Sequence, residues 1–276
     1  MNAEYHRKIA VEYFSWQYMR PCEPTALTCA FDGEDLVGTF GLKMRALNDG
    51  NIAGQATDML VAPKYREQGI FKELVRVTLE NIGTAPHLLC VFPNANGRRA
   101  VEGSLGWKCI GAMATYFLPG NRGGLPRGDT YPVCRQAPRT CFEKTDRYRD
   151  WRFEEHPHYR YRYFRSEGGL VVTKLYRDPL SGKQYGDIVD ARFKNTGDSG
   201  PYELFLRACE DLVDNDIEGI TTWALPGSAL MDMTTALGFE KTGQERHFCV
   251  KILHDRCRRL GVFENWDLVP ADTEVY

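Results

Sequence analysis

The sequence predicts an α/β fold made of two related halves. Short apolar runs typical of buried strands alternate with stretches whose apolar residues recur at helical spacing. Landmarks of the first half return in the second half at nearly constant offsets. With 276 residues, of which 43% are hydrophobic and 26% charged, the chain can bury the core of one large domain or two small ones.

The internal repeat rests on three pairs of landmarks in the two halves. The pairs are separated by 135, 133 and 132 residues, and they are Trp16 with Trp151, Pro93 with Pro226, and Gly106 with Gly238. Chance could produce any one of these pairs, whereas three similar offsets indicate a duplication.

In the first half, periodicity predicts alternating strands and helices. One apolar face of a helix is formed by Leu74, Val75 and Thr78, while charged residues cover the opposite face. The predicted elements of this half are strands at residues 56–62, 87–92 and 109–118 and helices at residues 71–82 and 97–105.

The second half repeats this order after a stretch rich in glycine and proline. That stretch, residues 119–138, is typical of a linker. We therefore expect a domain over residues 1–120, a linker over 121–140 and a second domain over 141–276. The predicted elements of the second half are strands at residues 170–176, 185–193, 217–225 and 247–253 and helices at residues 203–213 and 229–237.

The most informative motif joins the strand at residues 56–62 to the helix that follows. A tight loop at a helix start offers backbone N–H groups without acceptors, at the positive end of the helix dipole. Such a loop is a seat for a phosphate or pyrophosphate. Its residues are Arg66, Glu67, Gln68, Gly69, Ile70 and Phe71.

This motif resembles the pyrophosphate loop of the GNAT superfamily of acyl-CoA acyltransferases. In that superfamily a strand ending in Val-x-Pro precedes Gln/Arg-x-x-Gly-x-Gly/Ala, and here Val61-Ala62-Pro63 precedes Arg66-x-x-Gly69. Leu105-Gly106-Trp107 is similar to the Leu-Gly-Phe that follows the fourth helix of these enzymes. The chain departs from the motif at Phe71, where a small residue is usual.

The resemblance implies a tandem protein with two GNAT-like repeats, each a mixed, mostly antiparallel central sheet flanked by helices. The second repeat looks degenerate, because residues 194–202 contain no phosphate loop and Asp198 would repel a pyrophosphate. We therefore expect the first domain, and not the second, to bind acyl-CoA.

The resemblance also implies how the cofactor is bound. Backbone groups of Met59, Leu60 and Val61 would pair with the pantetheine arm of acetyl-CoA or another acyl-CoA, and Asn94 would lie against that arm. The N–H groups of Arg66, Glu67, Gln68, Gly69, Ile70 and Phe71 would hold the pyrophosphate. The expected reaction moves a short acyl group to an amine of a small molecule, such as an amino sugar or a secondary metabolite.

Three residues are candidates for proton transfer. Asp58 is the charged residue inside the apolar run, and a buried carboxylate without a partner has a raised pKa, as a base requires. The alternative is a structural Asp paired to a backbone N–H or an Arg. Glu102 stands where GNAT enzymes commonly have the tyrosine that protonates the leaving thiolate. Tyr116 could replace that tyrosine, or the thiolate could leave unaided.

Two other functions remain open from the sequence. A non-catalytic acyl-CoA-binding module is favoured by the missing tyrosine and by Phe71. An aminoacyl transferase that uses charged tRNA would need a basic groove, and the net charge of −2 argues against nucleic acid. Arginines and aromatics in residues 147–165 could hold single strands, but their alternation also fits an ordinary strand.

Composition indicates the compartment and the absence of a metal. The nine cysteines have no framework spacing and mostly lie inside apolar runs, which is typical of reduced thiols in a cytoplasmic protein. The chain shows no apolar run of membrane-spanning length and no signal peptide.

His254-x-x-Cys257, with His247 and Cys249 nearby, lacks the paired spacing of a zinc site. The oligomeric state cannot be read from the sequence.

Overall fold

The computed structural model describes residues 10–83, 85–120, 124–125, 131–132, 139–179 and 181–273. The chain forms two compact units, and each unit is assembled from three separate segments. The first unit comprises Met1–Gly111, Phe142–His158 and His247–Phe263, and the second comprises Ala112–Cys141, Tyr159–Arg246 and Glu264–Tyr276.

This partition differs from the division at residues 120 and 140 that the sequence predicts. Strand β5, Lys108–Pro119, begins in the first unit and continues in the second. Strand β10, Glu240–Ile252, begins in the second unit and ends in the first. The partition follows pairing, because the end of β10 supplies an antiparallel partner to a buried strand of the first unit. Most of the predicted linker, residues 121–123, 126–130 and 133–138, lies outside the described residues.

The first unit contains a mixed sheet with helices. Besides the ends of β5 and β10, its strands are β1 (Thr25–Asp32), β2 (Asp35–Ala46), β3 (Ile52–Val61) and β4 (Leu88–Val91). Its helical elements are helix α1 (Val11–Phe14) continuing as the π-helix Ser15–Met19, helices α2 (Ile70–Asn81) and α3 (Ala95–Leu105), helix α4 (Asp146–Arg149) continuing as the π-helix Asp150–Glu154, and the 3₁₀-helix Asp255–Gly261. The sheet has the order β1-β2-β3-β4-β10, and only the β3–β4 pair among these is parallel.

The second unit repeats this arrangement. Its further strands are β6 (Tyr161–Ser166), β7 (Gly169–Arg177), β8 (Gln184–Phe193) and β9 (Gly219–Ala224). Its helical elements are α5 (Gly200–Val213), α6 (Ala229–Ala236) and two short 3₁₀-helices, Phe263–Asn265, which begins at the boundary of the units, and Pro270–Asp272. The sheet has the order β5-β9-β8-β7-β6, in which the β8–β9 pair is parallel and the other pairs given by the structure are antiparallel.

The predicted α/β fold with two similar repeats is confirmed. In each repeat a π-helical segment precedes three strands, which are followed by helix, strand, helix and strand. Helix α3 is followed by Gly106 at φ 66°, and α6 by Gly238 at φ 74°. Both are left-handed positions that favour glycine at a helix end, which accounts for the recurrence of Leu-Gly-aromatic.

Strands β1 and β2 have no counterpart among the predicted elements. Residues 37–45 of β2 are continuously buried, so β2 lacks the alternation that marks a half-exposed strand. This buried run includes Lys43 and Arg45, whose charges further hide its strand character in the sequence.

Helix α2 packs closely on β2. A Cβ atom on Gly38 would lie 3.1 Å from Leu74 Cδ1, so glycine permits the close approach of the helix. The side chain of Phe71 packs edge-on against Phe40, with 6.0 Å between ring centroids. The bulk that departs from the phosphate-loop motif is thus accommodated by the core of the first unit.

Among the described residues, no helix combines the length and the apolar character needed to cross a membrane.

Candidate functional site

The site begins where two parallel strands of the first unit stop pairing. Strand β3 pairs with β4 at Ala53, Gly54 and Gln55, and β4 ends at Val91 while β3 continues to Val61. In the described ladder, residues 56–61 therefore extend beyond the paired region along the β4-facing edge. An extended ligand can add to such an edge through main-chain hydrogen bonds.

A β-bulge in β3 lies at the same place. In the register with β2, Leu60 faces Thr39 and Thr57 faces Gly41, so Asp58 and Met59 together stand opposite one residue. Asp58 has a φ of 43°, which is uncommon for a residue other than glycine. Its carbonyl oxygen accepts a hydrogen bond of 2.7 Å from the Thr39 hydroxyl. Bulges of this kind redirect a side chain, often beside an active site.

After the bulge, the backbone of β3 alternates between β2 and the opposite side. The N–H of Ala62 donates to the carbonyl of Val37 at 2.9 Å. In an antiparallel ladder the N–H and C=O groups of every second residue face the partner strand. Since those of Ala62 face β2, those of Leu60 do as well, and those of Val61 face away from β2. The Val61 carbonyl accepts from Arg66 Nε at 2.9 Å, so the Arg66 side chain folds back onto the end of β3.

The loop that follows β3 carries the strongest site geometry. A 3₁₀ turn, Pro63–Tyr65, leads through Glu67 at φ 64° to Gly69 at φ 81°, which caps the start of α2. Gly69, the N-cap residue, has no side chain with which to cap that start. A Cβ at Gly69 would meet no atom within 4 Å, so glycine is required there for its conformation. The first-turn amides of a helix lack intrahelical acceptors, so this is the backbone geometry on which the predicted anion seat depends.

The corresponding helix start in the second unit is occupied by the chain itself. Asp198 Oδ1 accepts from the Gly200 N–H at 2.9 Å and from the Thr196 hydroxyl at 2.6 Å. These two bonds, led by that of Thr196, lower the pKa of Asp198. A cavity of about 670 Å³ beside α5 is also lined by Glu167 and Glu203. Its carboxylates disfavour an anionic ligand at this position.

Asp58 is held by two neighbouring side chains of the π-helix Ser15–Met19. Gln17 Nε2 donates to Asp58 Oδ2 at 2.9 Å, and the Tyr18 hydroxyl makes a short hydrogen bond to the same oxygen. The Tyr18 hydroxyl also lies 3.1 Å from Thr57 Oγ1. Of the two possibilities that the sequence leaves open, the structure shows a paired Asp58, and its partners include the side chains of Gln17 and Tyr18.

Sequence reasoning missed Gln17 and Tyr18 as members of the site. A signal is present in the repeat around the paired tryptophans, because Tyr13-x-x-Trp16-x-Tyr18 in the first half matches Tyr148-x-x-Trp151-x-Phe153 in the second half. Its proximity to β3 depends on tertiary packing, and no periodicity of the sequence encodes it.

Two of the other candidate residues have structural partners of their own. Glu102 accepts from Arg98 Nε at 2.9 Å and from the Cys109 N–H at 3.2 Å. The Arg98 bond, followed by the Cys109 bond, lowers the pKa of Glu102. Asn94 caps helix α3 by accepting from the Gly97 N–H at 2.8 Å.

Tyr116 belongs to the second unit. It lies on β5 opposite Thr222 of β9.

The described residues contain no group of three or more His, Cys, Asp or Glu side chains placed to hold a metal ion. His254 caps the 3₁₀-helix Asp255–Gly261 by accepting from the Arg256 N–H at 3.3 Å.

Known proteins resemble this chain by fold. No protein-family profile matches it, and no curated protein matches it by sequence. Eis1 from Mycobacterium abscessus is 14% identical with a TM-score of 0.53, over 95% of this chain and 74% of Eis1. A tandem GNAT protein from the clavulanic acid biosynthesis pathway is 14% identical with a TM-score of 0.54, over 90% of this chain and 91% of that one.

A third similar structure is a GCN5-related glucosamine N-acetyltransferase region of a fungal multi-domain β-N-acetylglucosaminidase. It is 10% identical with a TM-score of 0.56, over 91% of this chain and 36% of that protein. The chain also spans only 60% of a GCN5-related N-acetyltransferase from Kribbella flavida. At such identities these likenesses show the fold, which is that of tandem GNAT proteins.

Proposed function

From this tandem-GNAT fold, we propose that the protein transfers an acetyl or other short acyl group from acyl-CoA to an amine of a small molecule. The first unit would bind the cofactor. The observation that carries the proposal is the loop of residues 66–71, which begins α2 with uncapped amides directly after the open edge of β3. The second unit has a carboxylate at the equivalent helix start and would not bind CoA.

The cofactor would lie along β3 and end at the start of α2. Its pantetheine amides would pair with the β4-facing backbone edge beyond Gln55, where Val61 points away from β2. The pyrophosphate would accept from the first-turn amides of α2. This path brings the thioester to the level of the bulge at Asp58.

Asp58 would act as general base for the acceptor amine. The carboxylate takes a proton from the amine nitrogen as that nitrogen attacks the thioester carbonyl. The C–N bond forms, the C–S bond breaks, and CoA leaves as a thiolate. A thiol with an ordinary pKa near 8.5 is a tolerable leaving group and can take its proton from solvent.

The acceptor class rests on likeness alone. An amino sugar or a related metabolite fits the name of the fungal glucosamine N-acetyltransferase region that shares the fold. A panel of amines led by glucosamine, with released CoA thiol measured, is the direct assay.

Introducing a negative charge into the phosphate loop tests the cofactor site. We expect Gly69→Glu to weaken acetyl-CoA binding by about fivefold to a thousandfold relative to Gly69→Gln, because like charges about 4 Å apart repel by roughly 1 to 4 kcal/mol. Isothermal titration calorimetry with acetyl-CoA measures both variants.

The Gln variant is the matched control, since both side chains impose the same strain at φ 81° and have the same size. Gly50→Glu, at φ 76° and also with open space around it, controls for a carboxylate elsewhere. Equal affinities of the Glu and Gln variants at residue 69 would remove the pyrophosphate from this loop.

One observation favours a second function, a non-catalytic acyl-CoA-binding module. Glu102 stands where the family has its acidic tyrosine, and it is engaged in an ion pair with Arg98. Acetyl-CoA binding without thiol release in the presence of any amine of the panel would select this function over the transferase.

A further inference from the structure

We propose that Trp151, contributed by the second half of the sequence, is a positioning residue for the Asp58 site. It would act through Trp16, which belongs to the π-helix whose next two residues hold the carboxylate. This inference rests on the proposed function, because it gives Asp58 a role in acyl transfer.

Trp16 and Trp151 form a symmetric buried pair within the first unit. Their rings are stacked, with 4.3 Å between centroids and 7° between planes. Trp16 Nε1 donates to the Trp151 carbonyl at 2.8 Å, and Trp151 Nε1 donates to the Trp16 carbonyl at 3.2 Å. Each tryptophan lies in a π-helix, Ser15–Met19 or Asp150–Glu154. The duplicated landmarks of the sequence thus meet face to face.

The two indole-to-carbonyl hydrogen bonds link the backbones of the two π-helices, and the hydrogen bonds of Gln17 and Tyr18 extend this link to Asp58. The Trp16 carbonyl, which accepts a hydrogen bond from Trp151 Nε1, belongs to the peptide bond between Trp16 and Gln17. Gln17 and Tyr18 then converge on one carboxylate oxygen of Asp58. Hydrogen bonds weaken steeply when distances and angles depart from their narrow optimum, so a small shift of the π-helix would break this grip. π-Helical turns are rare in proteins as a whole, but those that occur are often found at functional sites.

The surroundings of the pair hold the segment Phe142–His158 in place. Lys43 Nζ lies 4.8 Å from the centroid of the Trp151 ring, a cation–π distance. His156 packs against Trp16 with 4.7 Å between centroids, and Tyr148 against Trp151 with 5.8 Å. These contacts give the second repeat a task in the site of the first, although its own phosphate loop is absent.

Removal of the Trp151 indole N–H tests the proposal. We expect Trp151→Phe to lower kcat with glucosamine, or with the best amine of the panel, by about tenfold, a part of what loss of the base itself would cost. The dissociation constant of acetyl-CoA should stay within about twofold, because the hydrophobic cluster around the pair consists of Tyr13, Cys22 and Tyr148 and includes no residue of the loop 66–71.

Two comparisons separate positioning from general destabilisation. Trp223→Phe is the matched control, because Trp223 is equally buried but lies in the second unit. The double variant Trp151→Phe with Tyr18→Phe should be no slower than the slower single variant, since both changes act on the same carboxylate. Additive losses, or equal losses in the Trp151 and Trp223 variants, would overturn the proposal.

A spectroscopic readout keeps the test independent of turnover. In protein labelled with 3-fluorotyrosine, the ¹⁹F signal of residue 18 is assigned by its absence in Tyr18→Phe. It should shift in Trp151→Phe and stay in place in Trp223→Phe, and an unmoved signal in Trp151→Phe would refute the positioning role. If the wild type releases no thiol with any amine, the proposed function fails, while this signal still decides whether Trp151 positions Tyr18.

Discussion

Asp58 combines features that a strand residue seldom has together. Its φ of 43° places it in the left-handed region, at a bulge of β3, and its carboxylate accepts from Gln17 and Tyr18. Backbone strain of this kind costs about 1 to 3 kcal/mol and persists where the surrounding structure enforces it. We infer that the bulge aims the carboxylate at the position where the acceptor amine would attack.

Replacement of the Asp58 carboxylate by an amide should separate chemistry from binding. We expect Asp58→Asn to lower kcat at neutral pH by about a hundredfold or more, as for loss of a general base, with the acetyl-CoA dissociation constant nearly unchanged. The rate should recover as pH rises, because the free amine then forms without help. Steady-state kinetics across pH measure this.

The control for this variant is Asp198→Asn, which removes a carboxylate from the second unit. It should leave turnover near the wild-type value. Full activity of Asp58→Asn at neutral pH would assign the proton transfer to another group or to water.

Glu102 is expected to contribute to stability and not to proton transfer. Because Arg98 and the Cys109 N–H lower its pKa, its stabilising contribution is fully present above the ordinary pKa of about 4.3. That contribution is lost as pH falls through the lowered value. In urea unfolding, wild type should exceed Glu102→Gln in stability at neutral pH, and this gap should narrow in acid.

Turnover of Glu102→Gln should stay within about twofold of the wild type, since a carboxylate with a lowered pKa is a poor acid at neutral pH. A loss of a hundredfold with unchanged stability would restore Glu102 as the proton donor to the thiolate.

At the scale of elements, the two repeats differ at the start of one helix. In the first repeat, α2 begins at Gly69 without a side-chain cap. In the second repeat, the Gly200 N–H at the start of α5 binds the chain's own Asp198. The same strand–loop–helix geometry would therefore offer an anion seat in the first repeat, whereas in the second repeat a carboxylate of the chain already bonds to the helix start. A difference of a few loop residues decides this, because the helix dipole is common to both.

The start of α3 provides a test of the role of Asn94. As an N-cap, Asn94 should stabilise by about 1 kcal/mol, so Asn94→Ala should lower the free energy of unfolding by that amount and Asn94→Ser should restore most of it. Denaturation of both variants measures the cap. Neither substitution should change the affinity for acetyl-CoA.

An affinity lost equally in the Ala and Ser variants would have a different meaning. It would place the Asn94 amide against the pantetheine arm, as the family resemblance implies.

At the scale of the molecule, each compact unit needs both halves of the sequence. The first unit takes Trp151 and the end of β10 from the second half, and Cys249 and Val250 pair with Val91 and Cys90 of β4. A buried strand edge without a partner leaves polar backbone groups unsatisfied. The halves are therefore expected to depend on each other for folding.

Fragmentation tests this dependence. A protein with a protease site within residues 121–130 should, after cleavage, elute as one species on a sizing column and still bind acetyl-CoA. Residues 1–120 expressed alone should show no cooperative unfolding, because they lack residues 142–158 and 247–263 of the first unit. A fragment 1–120 that unfolds cooperatively and binds acetyl-CoA would contradict the expectation.

The sequence by itself determined the local elements and the motif from which a phosphate loop is predicted. Helical spacing located α2 and α5, and the Leu-Gly-aromatic landmarks marked the ends of α3 and α6, where the structure shows Gly106 and Gly238 in the left-handed region. These features depend on neighbours within a few residues, so periodicity and residue type suffice to predict them. The duplication was visible for the same reason, since the landmarks repeat along the chain.

Only the tertiary structure decided which distant residues meet. Phe71 found room against Phe40, Asp58 acquired Gln17 and Tyr18, and Trp16 stacked on Trp151. Strand partners such as β4 and β10 are equally distant in sequence. Pairing and packing of this kind are selected by burial and hydrogen bonding over the whole core. They leave no local pattern in a single sequence from which the contacts could be predicted.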